Sequence, residues 1–199
     1  HTQLSQGERE FAQPQWVFAQ SSYCILPGDA LLCSYRDCET LQPGNQLLYI
    51  SQQGDEIEIN SEWLEHDQLR CTGSTIALVA AASTRPPAIV SANAQALADA
   101  ALQIPEHNAS DNAMLNLPLE VLRQTALLPV STEFLPGAEK ISFRNRHGGL
   151  VYANYYAPTN PDIPVKSTTE PNHARPPMIV ICHGGPTGQS SVALDPRKL

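Results

Sequence analysis

Apolar residues in this chain come in short runs, and almost every run is closed by proline, glycine or a small polar cluster. The runs fall at residues 16–18, 22–26, 30–35, 46–51, 68–71, 75–81 and 88–91. An amphipathic helix needs ~10 or more residues of uninterrupted 3.6-residue period, whereas strands are this short and end at turn chemistry. With 17 prolines and 11 glycines in 199 residues, the chain is too rich in breakers for a helical bundle. At 42% hydrophobic residues it is too apolar for disorder. Strands recurring at this spacing predict an antiparallel sandwich or propeller blades, and periodicity alone does not choose between them.

The turns have identifiable mechanisms. Pro27-Gly28-Asp29 separates two apolar runs; proline fixes φ and glycine accepts positive φ, so a hairpin is expected there. Gln52-Gln53-Gly54-Asp55 and Thr72-Gly73 punctuate later runs, and Arg85-Pro86-Pro87 reads as the link between 75–81 and 88–91. Residues 93–117 read as an insertion, with a helical alanine-rich start at 94–102 and a loop at 105–111. Residues 118–128 fit either a helix capped by Asn116 or a strand through Val121-Leu122-Arg123. Residues 140–144 and 150–156 alternate about Gly148-Gly149, a strong hairpin signal. A polar, proline-rich connection over 157–176 then leads to Pro177-Met178-Ile179-Val180-Ile181-Cys182, an apolar run expected to be a strand in the middle of a sheet covered on both faces.

Charge divides the chain. Up to Glu139 there are 5 basic and 17 acidic residues; beyond it there are 7 and 3. Two bodies are expected. The net charge of −8, with no basic run, argues against nucleic acid or an anionic membrane as partner. Five cysteines, Cys24, Cys33, Cys38, Cys71 and Cys182, form no CxxC pair, which predicts neither a disulfide framework nor zinc but free thiols in a reducing, cytoplasmic compartment. The opening His1-Thr2-Gln3 is neither an initiator methionine nor the start of a signal peptide, so the sequence is expected to begin inside a longer chain.

Directly after the apolar run stands His183-Gly184-Gly185-Pro186-Thr187-Gly188. Two glycines leaving a strand let the backbone turn without a Cβ, so that amide N–H groups can converge on one point. Acyl transfer builds negative charge on the former carbonyl oxygen, and each preorganised donor is worth about 3 to 4 kcal/mol there. In α/β-hydrolases such donors come from the loop after the third strand.

Residues 139–199 resemble the opening of the catalytic domain of the prolyl oligopeptidase family of serine peptidases, in its dipeptidyl aminopeptidase/acylaminoacyl-peptidase branch. The matching residues are Ile141-Ser142-Phe143, Leu150-Val151-Tyr152-Ala153-Asn154-Tyr155-Tyr156-Ala157-Pro158, Asn160-Pro161-Asp162, Pro176-Pro177-Met178-Ile179-Val180 and His183-Gly184-Gly185-Pro186-Thr187. The resemblance implies a mixed fold: residues 1–128 as the last blades of a β-propeller, and 129–199 as the first strands of an α/β-hydrolase domain. It implies that Gly184 or Gly185 supplies an oxyanion N–H, that His183 anchors the loop and is not the triad base, and that Pro186 holds its exit. The family's serine, on a G-x-S-x-G turn, and its aspartate and histidine lie downstream of this motif. Gly188-Gln189-Ser190-Ser191-Val192 lacks the second glycine, and His66, His107, His147 and His173 precede the loop, too early for the order Ser, Asp, His. The chain is thus expected to be a fragment, inactive alone, of a peptidase acting on short peptides without a cofactor. An HGGG-type esterase and a non-catalytic β-rich binding module are the alternatives.

Other residues have plainer expected uses. Cys182 and His183 are adjacent and on opposite faces of a strand, which disfavours a dyad. His147 reads as a turn residue and His173 as part of a linker, not as metal ligands. Asp55, Glu56, Glu58 and Glu62 suit a solvated sheet edge better than a site for a peptide's amino group. Ser190 and Ser191 are expected to cap a helix after the loop, and Trp16 and Trp63 to pack in the core.

Overall fold

The computed structural model describes residues 3–5, 8–14, 16–37, 40–104, 114–128, 130–163, 176–185 and 188–195. In chain order its elements are β1 (Arg9–Glu10), β2 (Tyr23–Ile25), β3 (Leu31–Asp37), β4 (Gln46–Ile50), β5 (Glu56–Asn60), β6 (Glu65–Thr72), β7 (Thr75–Ala82), β8 (Arg85–Asn93), α1 (Ala94–Ala101), β9 (Met114–Asn116), β10 (Glu120–Gln124), β11 (Ala138–Arg144) and β12 (Leu150–Tyr156). Strands thus dominate, with a single α-helix among the described residues.

Two antiparallel meanders form the first body. In one, β2, β3, β4 and β5 follow each other across the sheet, β1 extends the β2 edge along β3, and β9 adds to β5 in parallel. In the other, the order is β6, β7, β8, β10. The β2–β3 hairpin closes through Pro27-Gly28-Asp29, with Gly28 at φ 77° and Leu26 N–H donating to Ala30 O at 2.8 Å. Asn93 caps α1, its side chain accepting from Ala96 N–H at 2.9 Å.

Alternation within the strands builds the core. Leu32, Leu47, Tyr49, Ile57 and Ile59 face Leu69, Ile76, Leu78, Ala80, Ala88 and Val90 of the second sheet, and Leu97 of α1 joins them. Each large aliphatic side chain removed from water there contributes about 1.5–3 kcal/mol. The other face of the first sheet carries Cys33, Tyr35, Leu48 and Ile50, covered by Phe11, whose ring lies 5.7 Å from that of Tyr35. On that face Arg9 pairs with Glu56 and sits 4.9 Å from the Tyr35 ring centre, while Tyr35 Oη donates to Glu58 Oε1 at 3.1 Å. Glu56 and Glu58 therefore belong to an interior strand with its own cation, not to a sheet edge.

Several expectations are corrected. Residues 16–18 are a turn pinned by Val17 N–H to Pro14 O, and Trp16 is 65% exposed while Trp63, at 2%, is core. Arg85-Pro86-Pro87 opens β8 instead of linking strands. Both prolines lie at the register shift between Ala80 and Ala82, where a missing N–H breaks no ladder bond. Of the two options for 118–128, the strand is the one formed. β11 and β12 pair throughout, Ala138 opposite Tyr156 to Arg144 opposite Leu150, but with each other alone among the described residues.

The apolar run is the largest departure. Residues 176–183 form neither strand nor helix, and Met178, Ile179, Val180 and Ile181 are 80%, 86%, 72% and 61% exposed. A buried parallel strand draws its hydrogen bonds and its cover from neighbours on both sides. No described strand lies beside this one, so its sequence has nothing to pair with.

Candidate oxyanion loop and its anchorage

Gly185 has φ 76°, a conformation that costs an L-residue about 1–2 kcal/mol and glycine nothing. Among the described residues no backbone carbonyl accepts a hydrogen bond from the amide of Gly184 or Gly185. Both glycines lie on an exposed loop. The loop doubles back on itself at Gly188: a Cβ there would lie 2.4 Å from Gly184 O and 3.0 Å from His183 Nδ1. Glycine at 188 is imposed by this close approach. Pro186 and Thr187 lie outside the described residues. Cys182 is an exposed free thiol.

Beyond Gly188 the chain returns to the first body and is fastened there. Asn154 Nδ2 of β12 donates to Ser190 O at 3.4 Å. Ser191 Oγ donates to Glu65 Oε1 at 3.1 Å, and Val192 N–H donates to the same oxygen at 3.0 Å. Leu194 N–H donates to Ala82 O at 2.9 Å, and Val192 is 1% exposed. The expected helix after the loop is absent among the described residues; Ser191 Oγ instead accepts from Ala193 N–H in a turn while binding Glu65.

Glu65 is the centre of this anchorage. Its side chain is 4% exposed, and its other oxygen takes Arg36 Nη2 at 2.9 Å. A buried carboxylate is tolerated when paired and hydrogen-bonded, and here all partners are in place. Gly44 makes room for the arrangement: a Cβ there would lie 1.8 Å from Leu64 O and 3.2 Å from Val192 Cγ2. Nearby, Ala138 N–H donates to Ser83 Oγ at 3.0 Å and Lys140 Nζ to Asp37 O at 3.2 Å, joining the β11–β12 hairpin to the same body. Neither Glu65 nor Gly44 stood out in the sequence.

One residue along β6, His66 takes part in a second network. Its Nε2 lies 2.9 Å from Ser61 Oγ, and its Nδ1 lies 3.0 Å from Asn45 Oδ1 and 3.2 Å from Asn45 O. Two acceptors at Nδ1 place the proton there, so Nε2 accepts from the Ser61 hydroxyl. The spacing matches a serine–histidine–asparagine relay, but burial lowers the His66 pKa to about 4 and Asn45 has no charge to balance an imidazolium. Asn45 also receives His66 N–H at 2.7 Å and donates Nδ2 to His66 O at 3.1 Å. The trio is a cross-brace tying the turn before β4 to β6.

The arrangement of strands has parallels among solved structures. The chain overlays on a Mycobacterium tuberculosis puromycin-hydrolysing peptidase with TM-score 0.70 and 22% identity, covering 96% of this chain and 25% of that one. A puromycin hydrolase gives 0.69 and 22%, with 98% and 25% covered. Its serine-to-alanine variant complexed with PGG gives 0.70 and 21%, with the same shares covered. This chain has the fold of a quarter of those peptidases. No family model and no curated protein matches the sequence. No helix among the described residues is long and apolar enough to cross a membrane.

Proposed function

We propose that the chain is a segment of a serine-type peptidase of the prolyl oligopeptidase family, acting on short peptides in the dipeptidyl or acylaminoacyl manner. Residues 1–128 would be blades of its propeller and 129–199 the start of its hydrolase domain. The observation that carries this is the overlay of nearly the whole chain, both meanders and the loop-bearing part together, on puromycin-hydrolysing peptidases at TM-scores of 0.69 to 0.70. Two successive antiparallel meanders, in sheets of six and four strands, suit propeller blades, and the exposed Gly184-Gly185 turn, with Gly185 at φ 76°, suits oxyanion donors.

In this reading the substrate carbonyl oxygen approaches Gly184 and Gly185 N–H as a serine downstream of the loop attacks the carbonyl carbon. The C=O pair moves onto oxygen, and the two amides stabilise the charge that develops there. His183 and Gly188 keep the loop folded against itself. Cys24, Cys33, Cys71 and Cys182 are free thiols, which suits a reducing compartment and with it the cytoplasm.

A fluorophosphonate probe applied to the full-length protein is the test. Labelling at a serine C-terminal to the loop is expected, with loss of turnover by about 10²–10³ when Gly184 is replaced by proline and a donor is removed. A folded protein that takes no label overturns the proposal.

A further inference from the structure

We infer that Glu65 is a positioning residue for the oxyanion loop, so that the first body supports the chemistry as well as standing beside it; this rests on the peptidase reading above. Glu65 Oε1 holds Ser191 Oγ and Val192 N–H at 3.1 and 3.0 Å. Val192 is buried against the Gly44 turn. Four residues upstream, Gly188 lies so close to Gly184 O and His183 Nδ1 that no side chain fits between them. Arg36 fixes the carboxylate from behind at 2.9 Å. The chain leaving the loop is therefore fastened by a buried carboxylate in another sheet.

The chemistry calls for such a support. Oxyanion donors act only when held in place before charge develops. A residue that fixes them without touching substrate affects the transition state more than the ground state, so it lowers kcat and spares KM. Glu65 bonds both to Arg36 of β3 and to the chain leaving the loop, where Leu194 N–H to Ala82 O is a second tie.

The test measures hydrogen exchange and kinetics on the full-length protein. Glu65→Ala is expected to speed exchange of the hydrogen-bonded Val192 and Leu194 amides at least about tenfold, and to lower kcat about tenfold with KM within about twofold. Ser83→Ala cuts another bond between the same two parts, to Ala138 N–H; it is expected to lower Tm comparably while leaving loop exchange and kcat unchanged. Glu65→Gln keeps an acceptor for Val192 N–H and is expected to restore kcat to within about threefold of wild type. Should Glu65→Ala fail to fold, Ser191→Ala removes one of the two bonds from an exposed residue, with a smaller change in the same two readouts. In a folded Glu65→Ala protein, unchanged exchange of the Val192 and Leu194 amides overturns the inference, and so does unchanged kcat. Faster exchange of those amides in a wild-type-like fold that never reacts with fluorophosphonate overturns the peptidase reading and leaves the anchorage standing.

Discussion

His66 should make the stability of the first body depend on pH with a definite sign. In the unfolded chain its imidazole titrates near 6.5, whereas in the fold burial holds the pKa at about 4. Above pH 6.5 the ring is neutral in both states and its contribution is fully present. As pH falls from 6.5 toward 4, the unfolded chain takes up a proton that the native protein refuses, so stability is lost across that window. Each unit between the two pKa values is worth about 1.4 kcal/mol, so the total loss is about 3 kcal/mol. Glu65 and Asp67 flank His66 on β6, and burial raises the Asp67 pKa, which acts with the opposite sign. The informative quantity is therefore the difference between wild type and His66→Gln, in which only the histidine term is removed. Urea unfolding followed by the fluorescence of buried Trp63, repeated from pH 7.5 to 4.5, measures it. The variant should be less stable at neutral pH, with the gap closing by about 2–3 kcal/mol at the acid end. Parallel pH profiles, or a ring titration near 6.5 in the folded protein by NMR, would refute the assignment of a neutral, Nδ1-protonated brace.

Three further outcomes follow from close approaches and exposure. Gly44→Ala must displace Leu64 O, 1.8 Å from the new Cβ, at a positive φ of 83°; a loss of about 3 kcal/mol in chemical unfolding is expected, and a neutral result would mean that the turn is not packed as described. Gly188→Ala, with its Cβ 2.4 Å from Gly184 O, should lower kcat of the proposed full-length peptidase by about tenfold or more without unfolding the first body, read by turnover alongside Trp63 fluorescence. Iodoacetamide should modify exposed Cys182 within minutes and spare buried Cys24 and Cys33, whose raised pKa values keep them as thiols, until the protein is unfolded. Mass spectrometry of the adducts decides it, and early modification of Cys24 would contradict its burial.

What could be foreseen depended on how far apart in sequence the deciding partners lie. The β2–β3 and β11–β12 hairpins were legible because their turn residues and strand alternation sit within about 20 residues of one another. β5 was not, although Ile57 and Ile59 alternate: Glu56 and Glu58 beside them look like an unpaired acidic run until Arg9 and Tyr35, brought in by other strands, are seen to pair with them. β9 has three residues and a parallel partner, a pairing with no local turn to announce it. Trp16 and Trp63 look alike as isolated aromatics, and only the turn at 14–17 sends one outward.

The loop illustrates the same limit at the candidate site. Its glycines declare themselves because the backbone conformation they permit is a property of the residue. The support of those glycines does not, because Glu65 and Val192 are separated by 127 positions and neither has an unusual neighbour in sequence. Conversely, the run from Met178 to Ile181 carries a strong local signal for a central strand and is exposed, because a strand's burial belongs to its sheet and not to its own residues. Its four apolar side chains and the open edges of the β11–β12 pair are then complementary demands: one lacks neighbours to hydrogen-bond, and the other lacks a third strand. In the proposed peptidase both would be met as further parallel strands join the sheet, and the C-terminal end of that strand would set the height of Gly184 above the sheet, as the Glu65 anchorage already sets it from the other side.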